Sequence, residues 1–200
     1  VANGTISLGD QDITTWSTRR RREAGIGYVP EDRHRHGLLL DAPLWENQVL
    51  GHQSQPPNAK GMWIDRDGAR ARTEALVRDF DVRTPNIDVP AHALSGGNQQ
   101  KLIIGRELEA DPTVLIAGHP TRGVDVGAQA AIWDQLKQAR HDGLATLLIS
   151  ADLEELIAIP SIAFPGYPSE PMDAMAARTL QMFREAGFDR LIGPEAFAQP

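Results

Sequence analysis

Apolar and polar positions follow two periods along this chain, one of two residues and one of helical spacing. Residues 4–8 (GTISL) alternate as a short strand does. Residues 17–24 carry Arg19, Arg20, Arg21 and Arg22 and predict a short exposed helix, its basic face solvated rather than phosphate-binding. Residues 26–29 (IGYV) read as a buried strand that stops at Pro30, and EDRHRHG follows as a polar loop. A short helix is expected over 44–50 and a loop over 53–60 (QSQPPNAK). Asp65 can cap a helix running to about Phe80, with Ala69, Leu76 and Phe80 on one face. Residues 84–93 are punctuated by proline, and Ser95 then opens a second helix to about Ala110. Residues 113–117 (TVLIA) form a β-type run. Over 127–141, Ala128, Ala131, Ile132, Leu136 and Ala139 recur at helical spacing until Gly143. Residues 144–149 (LATLLI) are an apolar strand, and Asp152 starts a last core helix that Pro160 ends.

Strands alternating with helices, the later strands apolar on both faces, predict an α/β layered domain with a largely parallel sheet. No internal repeat is present. After Pro165 the composition shifts: PGYPSEP reads as a linker, and 172–187 as an amphipathic helix bearing Met172, Met175 and Met182, expected to pack on the domain. The 200 residues suit one domain with a tail, 41% apolar and 24% charged as globular domains are. A net charge of -7 argues against binding nucleic acid by bulk charge. There is no cysteine, which excludes disulfides and thiolate metal sites and fits a reducing cytosol. No apolar run approaches the roughly 20 residues that cross a bilayer, so a link to a membrane runs through a partner. The chain opens at Val1 rather than Met and reads as a fragment of a longer polypeptide.

Candidate chemistry concentrates in LSGGNQQK, residues 94–101. Ser95 sits where an N-cap belongs, ahead of Gly96 and Gly97. The first turn of a helix presents unpaired N–H groups and the positive end of the dipole, a seat for an anion. The glycines permit close backbone approach, the Ser95 hydroxyl adds a hydrogen bond, and Asn98, Gln99 and Gln100 add neutral donors. An ordinary capped helix would look the same over SGG alone; the whole string is far more specific.

LSGGNQQK resembles the signature motif of ABC-transporter nucleotide-binding domains, and its NQQK ending resembles the subclass that imports simple sugars and nucleosides. Three further segments agree in order. Residues 25–41 (GIGYVPEDRHRHGLLLD) resemble the Q-loop region, with Glu31 where many members have glutamine. Residues 120–129 (PTRGVDVGAQ) resemble the D-loop, with Asp125 as its aspartate. Residues 147–156 (LLISADLEEL) resemble the switch region. The resemblance covers roughly residues 4–164 and is nearest to the second ATPase half of nucleoside importers.

The resemblance implies a P-loop NTPase-like ABC ATPase domain over 1–164, with a helical subdomain of about 42–110 carrying the signature and a divergent tail over 165–200. It also exposes departures. The triphosphate cradle GxxxxGK[ST], the Walker A loop, does not occur; the three lysines are Lys60, Lys101 and Lys137. In the family that loop lies just before the GTISL strand, so the chain is expected to begin after it. The family's Asp-Glu pair, which supports magnesium and polarises the attacking water, is Gly118 and His119 here, and the switch histidine is Ala151. Nothing near His119 in sequence orients it as a base, so no catalytic residue is expected.

ABC domains work head to tail, one half's cradle facing the other half's signature, and this chain fits the signature side. The expectation is a degenerate nucleotide-binding half of an importer for nucleosides or simple sugars, the nucleoside favoured. Ser95, Gly96, Gly97 and Asn98 would contact ATP, Glu31 would sense Mg2+ or nucleotide, and Asp125 would order the contact between halves. ATP and Mg2+ would be shared with a second nucleotide-binding domain, at the cytoplasmic face, against permease subunits. No nucleic acid and no membrane insertion are expected. The alternative is an ABC-like scaffold that binds no nucleotide. His34 and His36 read as loop residues rather than metal ligands, Asp32 and Arg33 as a pair, and Trp45 with Leu44 as either core or part of a docking groove.

Overall fold

Ser17, Asp65, Ser95 and Asp125 each stand at a helix N-cap, the side-chain oxygen accepting a backbone N–H of the first turn. These four caps start four of the five α-helices among the described residues of the computed structural model. It describes residues 4–151 except 55, 57 and 62. The chain divides into Val1–Ile159 and Pro160–Pro200, and every described residue lies in the first unit. The helices expected after residue 151 fall outside the described residues.

The order is β1 (Ser7–Leu8), β2 (Gln11–Asp12), α1 (Thr18–Glu23), β3 (Ile26–Val29), α2 (Leu44–Val49), β4 (Ala59–Lys60), β5 (Trp63–Ile64), α3 (Arg66–Asp79), α4 (Gly96–Glu109), β6 (Val114–Gly118), α5 (Val126–His141) and β7 (Ala145–Ile149). A wide helical turn, Arg33–Gly37, is capped by Asp32, which accepts from the N–H groups of His34 and Arg35. The Arg35 N–H, with His34 and His36 nearby, holds the Asp32 carboxyl below its usual range. Asp32 therefore serves the backbone and does not pair with Arg33.

β3, β6 and β7 form one parallel sheet in the order β3-β6-β7, with Ile26 opposite Val114 and Gly118 opposite Ile149. Val29, Leu115 and Ala117 are fully buried in one core with Leu102, Ile103, Ile132 and Leu136 of α4 and α5. Burying each such leucine or isoleucine contributes about 1.5–3 kcal/mol. The opposite face differs from expectation. Tyr28, Leu147 and Ile149 remain about half exposed among the described residues.

Two further expectations change. Residues 53–60 end in an antiparallel hairpin, β4 with β5, not in a plain loop. The α1 arginines divide: the helix is exposed as expected, with Arg19 paired to Glu23 and Arg20 over the Trp16 ring on its solvated side, whereas Arg21 donates to the carbonyls of Ile13 and Thr14. Arg22 turns inward to the buried carboxylate of Glu107. Leu44 is fully buried while Trp45 lines a groove, so the pair splits between core and surface.

Candidate functional site

The signature turn begins where the chain leaves the 3-10 turn Ala91–Ala93 and enters α4. Ser95 is exposed, and its Oγ accepts from the Asn98 N–H at 3.4 Å and from Asn98 Nδ2 at 3.0 Å. A hydroxyl has two acceptor lone pairs and one proton. Asn98 takes both lone pairs, which leaves the proton of Ser95 to donate outward. Asn98 is itself held by the Arg83 N–H, which donates to its Oδ1 at 2.9 Å. The rest of NQQK faces inward. Gln99 is 5% exposed and donates through Nε2 to the Ala91 carbonyl, Gln100 is buried, and Lys101 Nζ binds Asp81. The expectation that Gln99 and Gln100 offer donors to a ligand is therefore corrected: Gln99 fixes the helix start and Gln100 is buried.

Gly96 and Gly97 are needed for contacts inside the chain as well. A Cβ at Gly96 would stand 2.8 Å from Arg33 Nη2, and one at Gly97 would stand 2.7 Å from the Ala128 Cβ. Asp125 caps α5 by accepting from the Ala128 N–H, and its Oδ2 lies beside Gly97. The first turns of α4 and α5 thus pack directly together.

Glu31 and Arg122 form an ion pair between exposed side chains. The Arg122 and Gly123 carbonyls accept from Arg33 Nη1 and Nη2 at 2.7 and 3.3 Å. The Glu31 segment and the 120–125 turn are therefore clasped twice. Arg33 is the residue that sequence reasoning missed; its partners lie 89 and 90 positions away, and no local signal points to them.

At the tip of β6, Gly118 closes the strand and His119 takes a left-handed φ of 45°. His119 Nδ1 lies 3.2 Å from Ser150 Oγ, and its backbone N–H donates to the Ile149 carbonyl. These residues do not fit a magnesium ion. Gly118 has no side chain, and the Glu31 carboxylate is committed to Arg122. At the start of α4, by contrast, Ser95 is exposed and Gly96 half-buried, while Gly97 is buried against α5; the Ser95 hydroxyl, with the N–H groups at the helix start, suits a phosphate.

Away from this turn, Leu39, Trp45, Val49, Leu50, Trp63 and Ile64 line a mostly apolar groove of about 730 Å³, with Trp63 81% exposed. Arg66 stands 5.5 Å over the Trp45 ring. Among the described residues no helix is long and apolar enough to cross a membrane.

Comparison with known proteins agrees with this architecture. The ATP-binding cassette MJ0796, in a dimeric post-hydrolysis state with ADP and Pi, superposes with a TM-score of 0.64 at 21% identity, over 78% of this chain and 66% of that one. At that identity it speaks for the fold alone. The guanosine import ATP-binding protein NupO of Bacillus subtilis is 44% identical over 156 residues, 78% of this chain and 30% of its own length. The nucleoside import ATP-binding protein NupA of Lactococcus lactis is 43% identical over 80% of this chain and 31% of its own. A ribose import ATP-binding protein, RbsA 3 of Rhizobium meliloti, is 39% identical over 78% and 31%. The chain thus spans about 30% of the length of these curated relatives. Residues 1–122 match the ABC transporter family. The chain belongs to that family, as part of one of its ATP-binding domains.

Proposed function

We propose that this chain supplies the signature side of a composite ATP site in an importer of nucleosides or simple sugars. A second nucleotide-binding domain holds the triphosphate and its magnesium. Ser95, Gly96, Gly97 and Asn98 complete the site from this side: the outward Ser95 hydroxyl and the N–H groups of Gly96 and Gly97 bind the terminal phosphate, and Asn98 orients Ser95. Asp125 orders the surface where the halves meet, and Glu31, now paired with Arg122, couples that surface to the nucleotide. The nucleoside reading is preferred because the first two relatives named above are a guanosine and a nucleoside import protein.

The chain works at the cytoplasmic face. Its apolar groove, with Trp63 standing free, offers a permease subunit a surface of the right character. Gly118 and His119 stand where the family places its carboxylates, so this half contributes binding and orientation while its partner carries out hydrolysis.

The observation that carries the reading is the Ser95 hydroxyl, exposed at the start of α4 with both lone pairs already used by Asn98. The test mixes the chain with an ATP-competent partner half and compares MgATP turnover for the parent and Ser95→Arg. A loss of at least tenfold supports the composite site. Unchanged turnover favours an ABC-like scaffold that binds no nucleotide.

A further inference from the structure

Arg33 joins three parts of the site that sequence separates widely. Its Nη1 and Nη2 donate to the Arg122 and Gly123 carbonyls, and its Nε donates to Gln99 Oε1 at 3.3 Å. The orientation of Gln99 is fixed independently. Its Nε2 donates to the Ala91 carbonyl at 3.1 Å, and its Oε1 also receives His34 Nε2 at 2.9 Å. The guanidinium fork therefore fits a rigid set of acceptors, one on the first turn of α4 and two on the 120–125 turn. A lysine ammonium, with one nitrogen, cannot reach the three in this geometry.

The position of that fork matters as much as its bonds. Nη2 stands 2.8 Å from where a Cβ of Gly96 would be, so the guanidinium lies directly over the signature turn. Each acceptor it reaches is a neutral amide or carbonyl oxygen, so these bonds leave its charge uncompensated. A fixed positive charge beside a helix start strengthens the same field that attracts an anion there.

We infer that Arg33 is a positioning residue of the composite site: it holds the signature turn and the 120–125 turn as one unit and adds its charge to the phosphate-facing surface. This rests on the composite-site reading above. The chain would then present an already ordered surface to a bound nucleoside triphosphate, rather than two turns ordered separately at the moment of binding. Its loss should weaken ground-state capture of MgATP more than the chemical step, because Arg33 acts on the nucleotide through the turn it holds and through its charge, without touching the reacting atoms.

The experiment measures MgATP turnover by the partner half saturated with this chain, for the parent, Arg33→Gln, Arg33→Lys and Ser95→Arg. Arg33→Gln should raise KM for MgATP about tenfold with kcat within about threefold. Arg33→Lys, which keeps the charge but not the fork, should raise KM about threefold. Added salt should raise the parent's KM more steeply than that of Arg33→Gln, a readout that a purely structural role would not move. If Ser95→Arg abolishes turnover while both Arg33 variants keep KM within twofold of the parent, the positioning role is overturned and the composite site stands. If Ser95→Arg has no effect, the composite site fails and Arg33's role falls with it. Should Arg33→Gln fail to fold, as judged by its melting curve, Arg33→Lys decides: an unchanged KM there overturns the inference.

Discussion

Glu107→Gln tests how the nucleotide-facing helix is anchored. Glu107 is fully buried on α4 and accepts from Arg22 Nη2 at 2.7 and 2.8 Å, from Arg106 Nε at 3.0 Å and from the Tyr28 N–H at 3.1 Å. Arg106, 3% exposed, also donates through Nη1 to the Gly37 and Asn47 carbonyls, both at 3.0 Å. One carboxylate thus ties together α1, β3, the Arg33–Gly37 turn, α2 and α4. Burial pushes its carboxyl up, but Arg106, Arg22 and the Tyr28 N–H outweigh burial and hold it below the usual range. Glutamine keeps the shape and removes the negative charge between two guanidinium groups, placing an amide N–H against existing donors. Breaking a buried pair by removing one partner costs about 3–5 kcal/mol. For a unit of this size each kcal/mol shifts Tm by about 2–4 °C, so a fall of about 6–20 °C is expected. Urea and thermal unfolding followed by far-UV circular dichroism at pH 7 measure it. The folded carboxyl titrates below its unfolded value, so its stabilisation is present above pH 4.5 and lost as the pH falls through the folded pKa. That part of the acid limb should vanish in the variant. A loss under about 1 kcal/mol at pH 7 would refute the reasoning, since a buried charge cannot lose its partner so cheaply.

Gly105→Ala should destabilise, although alanine is intrinsically the better helix residue by about 1 kcal/mol. A Cβ there would meet Phe80 Cγ at 2.9 Å and Leu76 Cγ at 3.0 Å, and overpacking of that kind costs about 1–3 kcal/mol; a raised urea midpoint would contradict the α3–α4 packing. His52 is held neutral, its pKa lowered to about 4 by burial, with the Glu107 carboxylate opposing and Arg22, Arg106 and Arg72 assisting. Its folded pKa lies below the unfolded value of 6.5, so its contribution is present above pH 6.5 and lost as the pH falls towards 4. His52→Asn should lose stability less steeply than the parent over that window, read from urea midpoints at successive pH values. An identical slope would show that His52 does not titrate as described.

Where fold was legible in the sequence, the cause was local. Asp65 and Ser95 announce α3 and α4 because a cap and its first turn are adjacent in the chain, and the structure places both caps as expected. The spacing of Ile132 and Leu136 gave the buried face of α5 for the same reason. The β4–β5 hairpin was hidden because its two strands are two residues each, too short for a period to register. Arg22 looked like one more exposed cation, since nothing beside it in sequence reveals a carboxylate 85 positions away. The Arg106-Glu107 pair inside an apolar helical run was the available hint, as charges at such positions need buried partners. In the site, LSGGNQQK was recognisable as a string, but the division of labour within it was not. Only coordinates separate the outward Ser95 from the inward Gln99 and Gln100, or bring Arg33 across to residues 122 and 123.

The central claim is that the start of α4 serves a triphosphate gripped by another polypeptide. Titration of the 200-residue chain into an ATP-competent partner half, with equilibrium MgATP binding as the readout, tests it most directly. The account predicts no measurable binding by this chain alone. It predicts affinity in the mixture at least tenfold above that of the partner by itself, lost again with Ser95→Arg. Tight binding by the chain alone, or a mixture no better than the partner, would contradict it.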